Sequence, residues 1–474
     1  MIITGISAAL LVLAVVPIFL FPIILLAYRY FGIALLVIII YYILNFISLW
    51  YSYKWERTDE QAKITWTFIQ ILFPGAGAYI YFVFARVPKK QLKLLKESEL
   101  LESEILNTDL TNSQIELLEN GLETFPRLFS ELEKAEHYIN IQYFIINPGI
   151  IHDKLFKILE KKVKEGVKVR VLYDFLGNTR WSQIDINKWT EVGIITKEFR
   201  PIKWLKGNGG DNFRSHNKIV VVDGKSVMFG GLNIGDEYIS MSSKYGDWLD
   251  THYIGRGEIV KQLDNVFAWQ WHIETREDIS KEWNDYEQVK GSYSKITLLS
   301  DSPERPEPIT YNKILKCINE AKKTIRIITP YVAYPVTFKQ AIREALQRGV
   351  EVEVLTIGKA DKITAYYQST FDTDTLTNLG AKVYRIPNIF IHTKMFLFDE
   401  NKIIIGTTNL DYRSLFHHFE LNLFIEDEPG KTNIYNEYFK RHKELSNLIP
   451  NTRMDWGLGR MMMYIVIRFF KGLF

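Results

Sequence analysis

Residues 216–233 read HNKIVVVDGKSVMFGGLN, and residues 392–409 read HTKMFLFDENKIIIGTTN. Histidine, lysine, aspartate, glycine and asparagine recur at identical offsets: His216 and His392, Lys218 and Lys394, Asp223 and Asp399, Gly230 and Gly406, Asn233 and Asn409. The copies stand 392 − 216 = 176 residues apart, far too long a period for a solenoid but long enough for each to have its own domain. Such a chain is a duplicated domain.

The flanking segments give that domain its class. AEHYINIQYF (135–144) alternates apolar and polar residues as a strand does, a helical stretch over 155–165 stops at Gly166, and VKVRVLYD (167–174) reads as a buried strand. The second half repeats the order with KTIRIITPY (323–331), a helix over 338–348, Gly349 and VEVEVLTI (350–357). Helix, glycine stop and strand in succession predict βαβ units around a largely parallel sheet. Each motif then fills two consecutive strands, joined by Asp223-Gly224-Lys225 in one half and Asp399-Glu400-Asn401 in the other. Residues 274–292 read as a linker, and 300–308 as a second irregular stretch.

His216 and Lys218 stand two apart on a predicted strand and so share a face, as do His392 and Lys394. Packing the halves about a pseudo-twofold axis would gather two imidazoles, two ammonium groups and two asparagine amides around one anion. Phosphate is the natural occupant of such a site. One H-x-K is ordinary on a surface strand; two in register with asparagine are not. No metal is expected, because protonated lysines repel a divalent cation and no carboxylate or cysteine cluster lies nearby in sequence. The single cysteine, Cys317, excludes an internal disulfide.

Before the duplication the chain is of another kind. Residues 1–26, 31–51 and 64–85 carry no charge, and each is long enough to cross roughly 30 Å of hydrocarbon as a helix. Two or three transmembrane spans are predicted, with FPGAGAY (73–79) marking a broken or re-entrant segment. No lysine or arginine precedes the first run and a second follows at once, which excludes a cleaved signal peptide. Arg86, Lys89, Lys90, Lys93 and Lys96 crowd the exit of the last run, so the remainder is expected in the cytoplasm. A net charge of +3 supplies no footprint for nucleic acid. The expected organisation is a transmembrane region over 1–90, a helical linker over 91–120, α/β domains over 121–290 and 291–450, and an amphipathic tail over 451–474.

The H-x-K-x4-D pattern, present twice and each time followed by glycine and asparagine, resembles the phospholipase D superfamily. GGLNIGDEY (230–238), WLDTH (248–252), TNLDYRSL (408–415) and the apolar N-terminus are more specifically similar to bacterial cardiolipin synthases. The similarity runs over almost the whole chain. It implies duplicated phospholipase D-type α/β sandwich domains with pseudo-twofold symmetry. It implies a catalytic set of His216, Lys218, Asp223, His392, Lys394 and Asp399, with phosphate held also by Asn233 and Asn409. One histidine would form a phosphohistidine while the other protonates the departing alcohol and deprotonates the incoming one. The resemblance makes His216 the nucleophile and His392 the acid/base, and near-symmetry leaves the reverse open.

Family members also carry an orienting carboxylate some thirty residues after each histidine, where Asp250 and Glu420 stand here. Asp223 and Asp399 each end a strand at a turn, so they are read as binding turn amides or a neighbouring strand rather than substrate. The implied reaction converts two phosphatidylglycerol molecules to cardiolipin and glycerol in anionic membrane lipid, without a cofactor. A phospholipase D hydrolase, or transfer to another alcohol, is the alternative. Three departures bear on the acceptor pocket: Asn217 where relatives usually carry arginine, TPYVAYPVTF (329–338), and LFHHFE (415–420), whose His417 and His418 read as pocket-rim residues. The basic and aromatic stretch 199–216 and the tail 457–474 read as interfacial segments.

Overall fold

The computed structural model describes residues 31–54, 60–85, 110–178, 183–202, 213–242, 244–283, 285–303, 307–358, 363–428 and 430–449, with isolated positions at 22, 305 and in the C-terminal tail. The first apolar run and most of 199–216 lie outside them.

The described residues of 31–85 belong to one compact unit. Its helix α1 (Phe31–Lys54) contains a 19-residue stretch, Leu35–Tyr53, apolar and long enough to cross a membrane. The third apolar run is not one such helix. It divides into α2 (Glu60–Leu72), a turn at Pro74-Gly75, α3 (Ala76–Ile80) and a π-helical turn over Tyr81–Ala85. Proline removes a donor and Gly75 takes φ 75°, so the helical ladder cannot run through. Asn45 of α1 bridges the break: its Nδ2 donates to Gln70 O at 3.2 Å, and its Oδ1 accepts from Gly75 N at 3.3 Å. Backbone groups freed in an apolar setting need such partners.

The remaining residues form the second unit. The first half contributes β1 (Ser113–Leu118), β2 (Tyr138–Tyr143), β3 (Lys168–Asp174), β4 (Ile195–Phe199), β5 (Arg214–Ser215), β6 (Ile219–Val222), β7 (Ser226–Gly230), β8 (Asp247–Leu249) and β9 (His252–Gly257). The second contributes β10 (Lys295–Asp301), β11 (Thr324–Ile328), β12 (Val332–Ala333), β13 (Glu351–Ile357), β14 (Lys382–Ile386), β15 (Ile389–Ile391), β16 (Met395–Phe398), β17 (Lys402–Gly406), β18 (Leu410–Asp411), β19 (His418–Glu426) and β20 (Asn447–Leu448). The sheets run β1-β9-β7-β6-β2-β3-β4 and β10-β19-β17-β16-β11-β13-β14-β20, one order used twice.

Each sheet is mixed rather than largely parallel. β2, β3 and β4 are parallel, but β6, β7, β9 and β1 pair antiparallel. The tight turn between the motif strands makes them a hairpin, and a hairpin is antiparallel by construction. Two further corrections follow from pairing. Ser113–Leu118, read as part of a helical linker, is the edge strand β1 against β9. The H-x-K residues precede their strands, because His216–Lys218 and His392–Lys394 are extended connections leading into β6 and β16.

Those connections are where the halves meet. β5 pairs parallel with β19, Ser215 opposite Phe419, and β15 pairs parallel with β8, Ile391 opposite Leu249. His216 N then donates to Phe419 O at 2.9 Å, and His392 N to Leu249 O at 2.6 Å. Each histidine is thereby pinned by its own amide to the other half, one residue before a carboxylate.

In the tail, Tyr464 packs edge to Phe371 on helix 363–379, with ring centroids 4.9 Å apart.

Candidate active site

The cross-half pinning decides which carboxylate serves which histidine. His216 Nδ1 lies 3.1 Å from Glu420 Oε2, and His392 Nδ1 lies 2.6 Å from Asp250 Oδ2. The carboxylate thirty residues after each histidine therefore faces the histidine of the other half. Both carboxylates are fully buried, and so are both lysines within 1 %.

Matched positions support the two carboxylates differently. Thr407 Oγ1 donates to Glu420 Oε2 at 2.5 Å. The equivalent position in the first half (407 − 176 = 231) is Gly231, where a Cβ would stand 2.1 Å from Asp250 Oδ1. Glycine there makes room for the carboxylate, which accepts Thr251 N at 2.9 Å.

The lysines are also not equivalent. Lys218 Nζ donates to His216 O at 2.5 Å and stands 5.6 Å over the Phe144 ring. Lys394 Nζ lies 3.4 Å from Asp250 Oδ2 and 2.5 Å from His392 Nδ1, and it donates to His392 O. His392 Nδ1 thus stands between a carboxylate and an ammonium. His216 Nδ1 meets a carboxylate, while its lysine turns to the backbone.

Burial governs the titration of the site. It pushes His216 far below the ordinary histidine range, helped by Lys218, Lys394 and His392. It pushes His392 down to about 4, with Lys394 adding to the effect. Burial lowers Lys218 and Lys394 as well. Burial alone would raise Asp250, but Lys394 and His392 outweigh it and hold the carboxyl below its usual range. The lysine of each half acts on the histidine of the other, the electrostatic sign of convergence on one place. Desolvation disfavours both buried ammonium groups, and a bound anion would favour their charged forms.

Asn233 is held by Ile145 N on Oδ1 at 3.2 Å and by Tyr238 Oη on Nδ2 at 2.9 Å. Asn409 is buried with Oδ1 unpartnered among the described residues. Asp223 and Asp399 stand apart from the imidazoles, at the far ends of β6 and β16. From Lys218 to Asp223 the extended chain covers roughly 16 Å. Asp223 accepts the amides of Glu136, His137 and Tyr138 at 2.6, 2.9 and 2.7 Å. Asp399 does the same for Lys322, Lys323 and Thr324 at 2.7, 2.7 and 3.0 Å. Each ties its turn to the start of the strand beside it.

Sequence reasoning missed Thr407 and Trp248, whose ring centroid lies 5.2 Å from that of His392. It also set His417 and His418 at the rim, whereas both are buried. His216, His418 and Glu420 bring ligand atoms within 4.8 Å of one another, a spacing that could suit a metal. The donor set argues against one. Arg413 Nε donates to His418 Nε2 at 3.2 Å, so the ring proton sits on the nitrogen facing Glu420, and two lysines add positive charge.

The family model described as "Cardiolipin synthase, PLD-like domain" matches residues 128–271 and 314–443, one segment in each half. The chain is 30% identical over 458 residues to the "Probable cardiolipin synthase" of Bacillus subtilis (strain 168), covering 89% of this chain and 91% of that one. It is 30% identical over 428 residues to the cardiolipin synthase of Geobacillus sp. (strain WCH70), covering 82% and 84%. Among solved structures it is similar to phosphatidylserine synthase of Haemophilus influenzae Rd KW20, with a TM-score of 0.56, 14% identity, and coverage of 80% of this chain and all of that one. That last likeness concerns the fold.

Proposed function

The chain belongs to the cardiolipin synthase family of phospholipase D-like proteins, and from that premise we propose how its site joins two phosphatidylglycerol molecules into cardiolipin and glycerol. The observation that carries the proposal is the pair of buried histidines, each held at Nδ1 by a carboxylate of the other half. A ring fixed at Nδ1 presents Nε2 to the reacting phosphorus.

His216 Nε2 attacks the phosphorus of one phosphatidylglycerol, forming the N–P bond as the P–O bond to glycerol breaks. His392 delivers the proton that leaves with glycerol. The terminal hydroxyl of a second phosphatidylglycerol then gives its proton to His392 and attacks phosphorus, breaking the N–P bond and releasing cardiolipin. Bonds and protons balance over the two steps, so no nucleotide is consumed. Lys218, Lys394, Asn233 and Asn409 hold the phosphate oxygens, whose charge grows in the transition state.

The difference between the histidines supports this assignment of roles. Asp250 at His392 Nδ1 favours the charged ring that an acid needs, while burial and the nearby Lys394 ammonium make that ring ready to give its Nε2 proton up. Burial and the neighbouring charges favour the neutral form of His216, which suits attack. A bound phosphodiester offsets the lysine charges and moves both rings back toward their ordinary values.

The apolar helix α1 and the uncharged runs beside it support a multi-pass anchor in the membrane that holds the substrate. The basic cluster from Arg86 to Lys96 supports a cytoplasmic active site. The domain division proposed is the one expected from sequence, except that β1 is assigned to the first α/β domain.

The test uses full-length protein in phosphatidylglycerol liposomes, without nucleotide or added metal, and mass spectrometry of the products. Cardiolipin with stoichiometric glycerol, lost in His216→Ala and His392→Ala, is the expected result. Phosphatidic acid alone would make the enzyme a hydrolase.

A further inference from the structure

The site holds a third imidazole that the two-histidine reaction does not use. His418 opens β19, two residues before Glu420, and is 8 % exposed. Its ring lies 5.6 Å from that of His216 and 6.4 Å from that of Phe144. Arg413 donates from Nε to its Nε2 at 3.2 Å. Arginine has no acceptor to offer, so Nε2 carries the lone pair and the proton is on Nδ1. Nδ1 points to Glu420 Oε1 at 3.5 Å.

That distance is at the outer limit of a hydrogen bond, and neither atom has a second partner among the described residues. Glu420 Oε2, by contrast, is occupied by His216 Nδ1 and Thr407 Oγ1. A buried carboxylate with one oxygen doubly bound and the other bare is free to rotate or to take the proton of His216. A donor on the bare oxygen prevents both. The companion carboxylate has such a donor already: Thr251 N meets Asp250 Oδ1 at 2.9 Å, while His392 and Lys394 share Oδ2. Lys218 does not play that part for Glu420, being turned to the His216 carbonyl. His418 fills the vacant role.

We propose that His418 is a positioning residue: its Nδ1–H, aimed by Arg413, closes onto Glu420 Oε1 when substrate is engaged and locks the carboxylate that orients His216. The proposal rests on His216 as the nucleophile. It makes the first half-reaction depend on a side chain that touches neither donor nor acceptor lipid.

The experiment compares wild type with His418→Ala, His418→Asn and His418→Gln, full length, in phosphatidylglycerol vesicles. It follows cardiolipin turnover and, in acid-quenched samples, the burst of covalent phosphatidyl-enzyme from phosphatidyl-p-nitrophenol. An asparagine amide can place N–H close to the histidine Nδ1 position, and a glutamine amide places it nearer Nε2. His418→Ala and His418→Gln are expected to lower the burst rate about 10- to 100-fold, and His418→Asn to restore it to within about threefold. The loss should persist with p-nitrophenol, which needs no proton to leave, because the defect lies in attack. Equal losses in all three variants, no loss in His418→Ala, or a loss that disappears with p-nitrophenol would each overturn the proposal. A His216→Ala protein that still forms the covalent intermediate would instead overturn the assignment beneath it.

Discussion

His392 Nδ1 stands 2.6 Å from Asp250 Oδ2, and the two residues come from different halves of a duplicated chain. The relationship is reciprocal, because His216 takes Glu420. The parallel bridges β5–β19 and β8–β15 impose this exchange by laying each H-x-K connection beside the strand end that carries the other half's carboxylate. Neither motif histidine is paired with the orienting carboxylate of its own half.

Exchange of partners makes the two carboxylates separable by leaving group. Asp250→Asn keeps the shape but leaves an amide against His392, and should lower cardiolipin turnover by about 10²- to 10⁴-fold. With phosphatidyl-p-nitrophenol, release of the phenol should recover most of that loss, since no proton is needed. Glu420→Gln should lose release from both substrates, because it disables attack by His216. Identical behaviour of the two variants in stopped-flow release would contradict the assignment.

The lysines should act on catalysis rather than on folding. Removing one donor to a phosphoryl transition state costs about 10²- to 10³-fold. Lys218→Met, isosteric along much of its length, should show that loss in kcat with an unchanged or raised thermal midpoint. Burial penalises the Lys218 ammonium, and methionine removes the penalty.

Asp223 and Asp399 should behave in the opposite way. Each binds three backbone amides at the start of a neighbouring strand. Asp223→Ala strands those donors and should destabilise the second unit by about 2–4 kcal/mol. The protein that remains folded should still form the phosphatidyl-enzyme. Thermal unfolding in detergent, beside burst amplitude per folded molecule, separates the two effects.

Acid should weaken the fold through its buried histidines. His252, His417 and His418 are pushed to about 3 by burial, and His392 to about 4. The unfolded chain binds a proton at each of these near pH 6.5 while the folded chain does not. Their contribution is therefore fully present above pH 6.5 and is lost as pH falls toward 4, by about 1.4 kcal/mol per pH unit for each ring. The thermal midpoint should drop steeply between pH 6.5 and 5, and His417→Phe should flatten that drop. A midpoint independent of pH in this window would refute it.

What the sequence determined by itself was the duplication and the chemistry it carries. A polar set repeated at 176 residues points to one site shared between halves, and alternating strands with glycine stops point to α/β domains. The strand–turn–strand form of the motif, and the aspartate at each turn, were legible for the same reason: they depend on neighbours in the chain. Tertiary structure decided what depends on distant partners. Nothing between His216 and Asp250 in sequence says that Asp250 belongs to His392, because that pairing is made by β8 against β15, 142 residues apart at the side chains it joins. Nothing in LFHHFE distinguishes a rim histidine from one shielded behind Glu420. That distinction rests on burial against Phe144 and His216 of the other half, and on the turn that brings Arg413 to His418.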